Sequence, residues 1–97
     1  MSVIYHMPGP LRPFTGGLSR VEIGPVGGQS PATLGDALEA LWALYPGIRD
    51  RMATEQGQIR EHINLFVGNE NVRYSGGLAT PLPDDADIGI VPAISGG

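Results

Sequence analysis

The sequence contains neither cysteine nor lysine, and each absence excludes a kind of chemistry. Without cysteine the chain has no disulfide, no thiolate metal ligand and no thiol nucleophile, so any sulfur that it handles must come from another molecule. Without lysine it has no amine for a Schiff base, and its copies cannot be joined to one another through lysine isopeptide bonds. All six basic residues are arginines. Genome composition alone is a sufficient explanation for the use of arginine in place of lysine.

Long apolar runs and an excess of positive charge are also missing. No run approaches the roughly 20 residues of a membrane span, and no basic segment followed by an apolar one marks a signal peptide. We therefore expect a cytoplasmic protein without a membrane partner. The net charge of -4 argues against a nucleic-acid partner, which would require a basic face. A length of 97 residues, 41% of them hydrophobic, predicts one globular domain over residues 1–97.

The pattern of polar residues does not indicate an active site. His6 and His62 are isolated from any metal-ligand spacing, and Asp84, Asp85 and Asp87 follow a proline and read as a solvated turn. A P-loop, the glycine-rich phosphate-binding loop that ends in a lysine before a helix, is excluded because the chain has no lysine. We expect no catalytic residue, no bound metal and no bound cofactor.

One segment has the periodicity of a helix. Thr33-Leu34-Gly35-Asp36 resembles a capping box with aspartate in the acidic position. Apolar residues then recur at three- and four-residue spacing and predict a buried stripe, namely Leu34, Ala37, Leu38, Leu41, Trp42 and Tyr45. Pro46-Gly47 should end this helix. Ile48 to Met52 adds a short helical turn, and Thr54 to Arg60 reads as an exposed loop.

The remaining apolar segments read as strands. Two strands joined through a loop at Arg12 to Gly17 suggest a hairpin, and three more segments follow the helix. The predicted strands are Ser2 to Met7, Leu18 to Ile23, Ile63 to Val67, Val72 to Tyr74 and Ile88 to Val91, with a turn at Gly68-Asn69. This order predicts an α+β fold, a mixed sheet crossed by one main helix with the first and last strands adjacent at its centre. That arrangement is the ubiquitin-like β-grasp.

The C-terminal segment is the most unusual part of the chain. After the β-branched run at Ile88 to Val91, the chain ends in Gly96-Gly97. Glycines have no Cβ and can enter a narrow channel, and four extended residues span roughly 13 Å. A frayed, flexible tail without a function is the alternative, because glycine-rich termini are commonly disordered.

Over nearly its whole length the sequence resembles the ThiS/MoaD family of ubiquitin-like sulfur carriers, and within it the CysO-type carriers. The Val72-to-Thr80 block, followed by a strand, Pro-Ala and a terminal Gly-Gly, is the specific part of the likeness. The segments that carry the resemblance are Leu11 to Gly17, Ile63 to Val67, Asn71 to Thr80 and Ile90 to Gly97. The resemblance again implies a β-grasp fold.

The resemblance implies a carrier that is modified rather than an enzyme. In this family an E1-like enzyme uses ATP to adenylate the terminal carboxylate, here that of Gly97, and sulfur from a persulfide donor converts it to a thiocarboxylate. Gly96 would be needed for entry into the channel of the activating enzyme. Partner docking is predicted to use an apolar patch with Phe66, Leu78 and Ile94 as candidates.

The identity of the sulfur acceptor stays open at this point. CysO-type carriers deliver sulfur to a cysteine synthase and a metal-dependent peptidase then releases cysteine, whereas MoaD-type carriers are subunits of molybdopterin synthase and ThiS-type carriers serve thiazole formation. Related carriers supply thiosugars and other secondary metabolites. A non-catalytic interaction module or a ubiquitin-like protein modifier is the competing class. The Gly24 to Ala32 stretch is longer and richer in Gly and Pro than the family suggests, so its partner surface is undefined.

Overall fold

A computed structural model describes residues 2–25, 30–74 and 76–92 of the chain. A mixed five-stranded sheet has the order β2-β1-β5-β3-β4. Its strands are β1 (Val3–His6), β2 (Arg20–Ile23), β3 (Ile63–Val67), β4 (Glu70–Asn71) and β5 (Asp87–Pro92). β5 lies parallel to β1 and antiparallel to β3, and β1–β2 and β3–β4 are antiparallel pairs. The first and last strands are therefore adjacent, as predicted.

Two helices cover one face of this sheet. Helix α1 spans Leu34–Leu44, and the Thr33 side-chain oxygen accepts a hydrogen bond from the Asp36 N–H at 3.2 Å, which confirms the predicted cap. The helix ends before Pro46, as expected. Pro46 then begins a second helix, α2 (Pro46–Met52). Proline is favourable at the first position of a helix because the N–H group that it lacks would have no hydrogen-bond partner within the helix.

The core lies between α1, α2 and the helix-facing side of the sheet. The predicted helix stripe is buried apart from Tyr45, which packs partly buried against the core. Alternate strand residues meet the stripe, namely Val3, Tyr5, Val21, Ile63, Leu65, Ile88 and Ile90. This architecture is the β-grasp arrangement, so the prediction of fold class is confirmed.

One predicted strand is wrong. Val72–Tyr74 forms a 3₁₀ helix, and the strand that returns from β3 is β4, two residues earlier. The Asn71 side-chain oxygen accepts a hydrogen bond from the Arg73 N–H at 3.0 Å, and this local turn ends the pairing with β3. Val72 is buried by this bend, which explains the apolar residue that suggested a strand.

The first connection also differs from the predicted loop. Gly9–Thr15 forms a 3₁₀ helix, which begins with Pro10 in its first turn and ends at Gly16 with φ of 70°. The hydroxyl of the buried Thr15 donates a hydrogen bond to the Leu18 carbonyl oxygen at 2.9 Å and lies 3.1 Å from the Arg12 carbonyl oxygen. The connection between β1 and β2 is therefore a folded part of the core boundary.

Tyr5 makes the stability of the fold sensitive to high pH. Its side chain is buried, its hydroxyl donates a hydrogen bond to the Ala37 carbonyl oxygen at 2.8 Å, and burial raises the pKa of Tyr5 to about 12. The folded state therefore holds the phenolic proton more tightly than the unfolded chain, whose tyrosine has a pKa near 10. The stabilisation of the folded state by the protonated Tyr5 is complete below pH 10 and is lost as the pH rises towards 12.

We expect Tyr5→Phe to remove most of the loss of stability between pH 10 and 12. The wild type should lose on the order of 3 kcal/mol over this range, from a shift of about two pKa units. At neutral pH the variant should lose only the net value of one hydrogen bond, about 1 kcal/mol. Urea unfolding at a series of pH values measures both. Parallel decline of the two proteins above pH 10 would show that Tyr5 is not the responsible group.

Candidate functional site

The C-terminal tail leaves the sheet from a fixed root. β5 is the central strand, and Ile88 and Ile90 are buried on its helix-facing side. The strand ends at Pro92, which pairs with Ile63 of β3. Five residues separate Pro92 from the terminal carboxylate, and they lie outside the described residues. The predicted site residues Gly96 and Gly97 and the docking candidate Ile94 are among them.

The sheet face opposite the helices is open to solvent. Its middle row runs from Arg20 through His6 and Gly89 to Phe66 along the cross-strand pairs. Because Gly89 carries no side chain, the row dips at its centre, beside the half-buried Phe66. Val91, one row closer to the tail, is 46% exposed. The open face therefore presents apolar side chains close to the tail root.

Charged residues also lie on the open face. His6 contacts Asp87 through its Nε2 atom, and both side chains are about half exposed. Arg20 and Glu22 form a second pair on β2, 3.7 Å apart. In the described parts of the chain, no group of three or more His, Cys, Asp or Glu side chains is placed to hold a metal ion. Asp84 and Asp85 lie in a turn, with Asp85 at φ of 56°.

The structure places two of the docking candidates in different surroundings. Phe66 alternates with Leu65 and Val67, which face the core, and so lies on the open face. Leu78 packs partly buried against the core, and its carbonyl oxygen and Cβ would approach a Cβ added at Gly35, the second residue of α1. Leu78 therefore belongs to the helix-facing side of the molecule. Their contacts with a partner remain a prediction.

Two small cavities flank the tail root. The first has a volume of about 250 Å³ and is lined by Pro10, Leu11, Phe14, Arg51, His62, Ile63 and Pro92. The Arg51 guanidinium carbon lies 4.8 Å from the centre of the Phe14 ring, close enough for a cation–π contact. This cavity thus places a cation beside Pro92, where the tail begins.

The second cavity, which we call the edge pocket, lies along the outer side of β3. It has a volume of about 300 Å³, and its apolar lining comes from Ile59, Ile63, Leu65, Val72 and Leu78. Two arginines, Arg60 and Arg73, also line it, and the remaining lining residues are Gln58, Asn64, Asn71 and Gly77. Sequence reasoning missed both arginines because they are 13 positions apart and belong to segments predicted as a loop and a strand.

The Gly24 to Ala32 stretch is only partly described, since residues 26–29 lie outside the described ranges. Its far end is tied to the segment that leads into β5. The Ala32 carbonyl oxygen accepts a hydrogen bond from the Leu82 N–H at 3.0 Å, and Thr33 forms a bridge with Pro81. The end of this stretch therefore contacts the segment that leads into β5, the strand from which the tail extends.

Comparison with known proteins agrees with the fold. The ThiS family matches residues 7–97. The sulfur carrier protein CysO of Mycobacterium tuberculosis is 38% identical, with all of both chains covered. A solved structure of that protein has a TM-score of 0.80 at 37% identity and covers 95% of this chain and 99% of that one.

Two further relatives extend the comparison. A chain in the crystal structure of the Amycolatopsis orientalis BexX/CysO complex has a TM-score of 0.81 at 33% identity, with 98% of this chain and 99% of that one covered. Small archaeal modifier protein 3 of Haloferax volcanii is 35% identical over 68% of this chain and 71% of its own length.

The fold and the glycine-terminated tail define a ubiquitin-like β-grasp protein. Within that class, the chain belongs to the ThiS family, and its relatives include proteins named as sulfur carriers and as protein modifiers. The resemblance to this family and to CysO-type carriers is confirmed. In the described parts of the chain, no helix has the length and apolar character needed to cross a membrane.

Proposed function

We propose that this chain is a sulfur carrier whose C-terminal carboxylate, on Gly97, is adenylated and converted to a thiocarboxylate. The observation that carries the proposal is the match to the CysO carrier along the whole chain, which includes the Gly-Gly terminus. The anchoring of β5 supports it, because a buried central strand gives the five-residue tail a rigid root from which to reach a partner.

The chemistry requires activation because a carboxylate is anionic and has no good leaving group. A carboxylate oxygen attacks the α-phosphorus of ATP on an E1-like enzyme, and pyrophosphate leaves. The terminal sulfur of a persulfide then attacks the acyl carbon, and AMP leaves. A second thiol cleaves the resulting sulfur–sulfur bond, which releases the thiocarboxylate and leaves a disulfide on the partner proteins. Since this chain has no cysteine, every thiol in the sequence of steps belongs to a partner.

The thiocarboxylate is a nucleophile for a biosynthetic acceptor. It is ionised at neutral pH, and sulfur attacks carbon electrophiles readily. On the likeness to CysO carriers, we propose that the acceptor belongs to the biosynthesis of cysteine or a related sulfur-containing metabolite, on a cysteine synthase-like or other biosynthetic enzyme. A relative forms a complex with a protein named BexX, which supports the use of a separate partner protein here.

A protein modifier is the second candidate function. The observation in its favour is the 35% identity to a small archaeal modifier protein. In that case the same activated glycine would form an amide bond with a lysine of a target protein. The chain itself has no lysine, so the product could not be a polymer of this chain linked through its own lysines.

Intact mass spectrometry distinguishes the two functions. We expect incubation with ATP, an E1-like activating enzyme and a sulfur donor to shift the mass by the difference between one sulfur and one oxygen atom. A sample without ATP is the control and should keep its mass. A product heavier by a whole target protein would support the modifier function. An unchanged mass with every activating enzyme that loads a CysO carrier would contradict both.

A further inference from the structure

The edge pocket is lined by two arginines that form no ion pair among the described residues. The Nε and one terminal nitrogen of Arg60 both donate to the Asp50 carbonyl oxygen, at 3.2 and 3.0 Å. A terminal nitrogen of Arg73 donates to the Glu61 carbonyl oxygen at 2.8 Å. Among the described residues, neither guanidinium is ion-paired with a carboxylate. Both guanidinium groups are therefore held in position by neutral carbonyl acceptors.

The two arginines lie on a chain whose net charge is -4. A partner surface rich in carboxylates would be repelled by the molecule as a whole and attracted only where basic groups are concentrated. Two pinned guanidiniums around an apolar cavity form such a place. An arginine suits a carboxylate because its planar fork can donate two parallel hydrogen bonds.

A short helical turn, not a strand, follows β4 beside the pocket. Among the described residues β4 pairs only with Phe66 and Val67, and the chain then turns into the 3₁₀ helix Val72–Tyr74. The Ile63 N–H donates to the Arg60 carbonyl oxygen at 3.0 Å, so this part of β3 already has a backbone partner. Recognition here therefore depends on side chains, and the apolar lining of the pocket can take one apolar side chain of a partner protein.

The pocket lies close to the tail root. Ile63 lines the pocket and pairs with Pro92 of β5. The backbones of these two residues are therefore separated by one strand spacing, about 4.8 Å. The Arg73 guanidinium contacts Glu61, two residues before Ile63. Because the five residues after Pro92 span at most about 17 Å when extended, an enzyme that takes up the tail binds within that distance of Pro92. The edge pocket lies inside this range.

We propose that the edge pocket docks an acidic segment of the activating enzyme. Carboxylates of that segment bind Arg60 and Arg73, and one apolar side chain enters the pocket. This inference rests on the proposed function and specifies the chemistry of the partner surface. It assigns Arg60 and Arg73 a role in recognition, separate from the chemistry at Gly97.

The test is the charge-reversed double variant Arg60→Glu/Arg73→Glu in steady-state loading. We expect the KM of the activating enzyme for this carrier to rise at least about tenfold, with kcat unchanged, because like charges then face each other across the interface. The wild-type KM should rise with salt concentration and that of the double variant should not. Arg20→Glu is the control, since it reverses one charge, half the charge change of the double variant, on β2 at the other side of the sheet, and it should keep a wild-type KM.

Each outcome decides the proposal. If the Glu double variant melts early, Arg60→Gln/Arg73→Gln replaces it and should show a smaller rise in KM and a weaker salt dependence. A loaded wild type together with a double variant of unchanged KM would overturn the docking inference and leave the proposed function intact. An equal rise in KM for Arg20→Glu would also overturn it, because the effect would then come from overall charge. A wild type that is not loaded at all contradicts the proposed function itself.

Discussion

Deletion of Gly97 is expected to abolish sulfur loading while the fold stays intact. The deletion leaves a carboxylate about 3.5 Å short of the position at which an adenylating site holds it. A misplacement of 1 Å can already cost on the order of a hundredfold in rate, so activity should fall below detection. The fold should survive because β5 ends at Pro92, five residues earlier, and its buried residues are Ile88 and Ile90.

Replacement of Gly96 by valine should have the same result for a different reason. The tail keeps its length, but a β-branched side chain now has to pass through a channel shaped for glycine, and a positive φ is no longer accessible. Ser95→Ala is the matched control, because it preserves both the length of the tail and its two glycines. This control should be loaded at the wild-type rate.

ATP–pyrophosphate exchange by the activating enzyme measures the first chemical step in these variants, and circular dichroism checks their fold. Exchange at the wild-type rate by the Gly97 deletion would show that the terminal carboxylate is not the reactive group. The proposed carrier function would then give way to that of a non-catalytic interaction module. Loss of exchange in Ser95→Ala as well would indicate that the tail is recognised through its side chains.

The fold was predictable where local pattern and tertiary packing agree. The stripe of α1 and the β-branched runs of β3 and β5 each match a single period, and their burial in one core follows. The prediction failed at Val72–Tyr74, where an apolar valine and a tyrosine imitate a strand. An asparagine side chain that accepts a backbone hydrogen bond two residues later ended that strand, and period alone does not detect such a contact.

The candidate site was predictable in part. A terminal Gly-Gly after an apolar strand is a continuous signal, so the tail could be found without a structure. The edge pocket could not be predicted in this way. Hydrogen bonds to the backbone carbonyls of Asp50 and Glu61 hold the side chains of Arg60 and Arg73 in place, and such contacts leave no pattern in the sequence. Phe66 and Leu78 lie on different sides of the sheet, and the alternation of apolar and polar residues does not reveal this. Leu78 follows the 3₁₀ helix Val72–Tyr74, which was predicted as a strand, so its side of the sheet could not be derived from the sequence.

The largest effects on stability are expected in α1. Leu38 and Leu41 have no exposed surface and contact the sheet-side residues of the core. Truncation of either to alanine removes buried methyl and methylene groups and leaves a cavity, which costs about 2–5 kcal/mol. Domains of this size are stable by only about 5–15 kcal/mol, so either variant should lose a large fraction of its stability.

Leu44→Ala provides a matched control for these two variants. It makes the same chemical change in the same helix, at a side chain that is 60% exposed, and therefore leaves no buried cavity. In thermal unfolding, each lost kcal/mol lowers the Tm by roughly 4–8 °C in a domain of up to about 100 residues, so the core variants should melt at least about 8 °C below the wild type. The control should melt within a few degrees of it. Equal melting of Leu38→Ala and Leu44→Ala would mean that α1 does not pack on the sheet through the predicted stripe. Because both α1 and β5 contribute to this one core, its loss would also release the root of the tail.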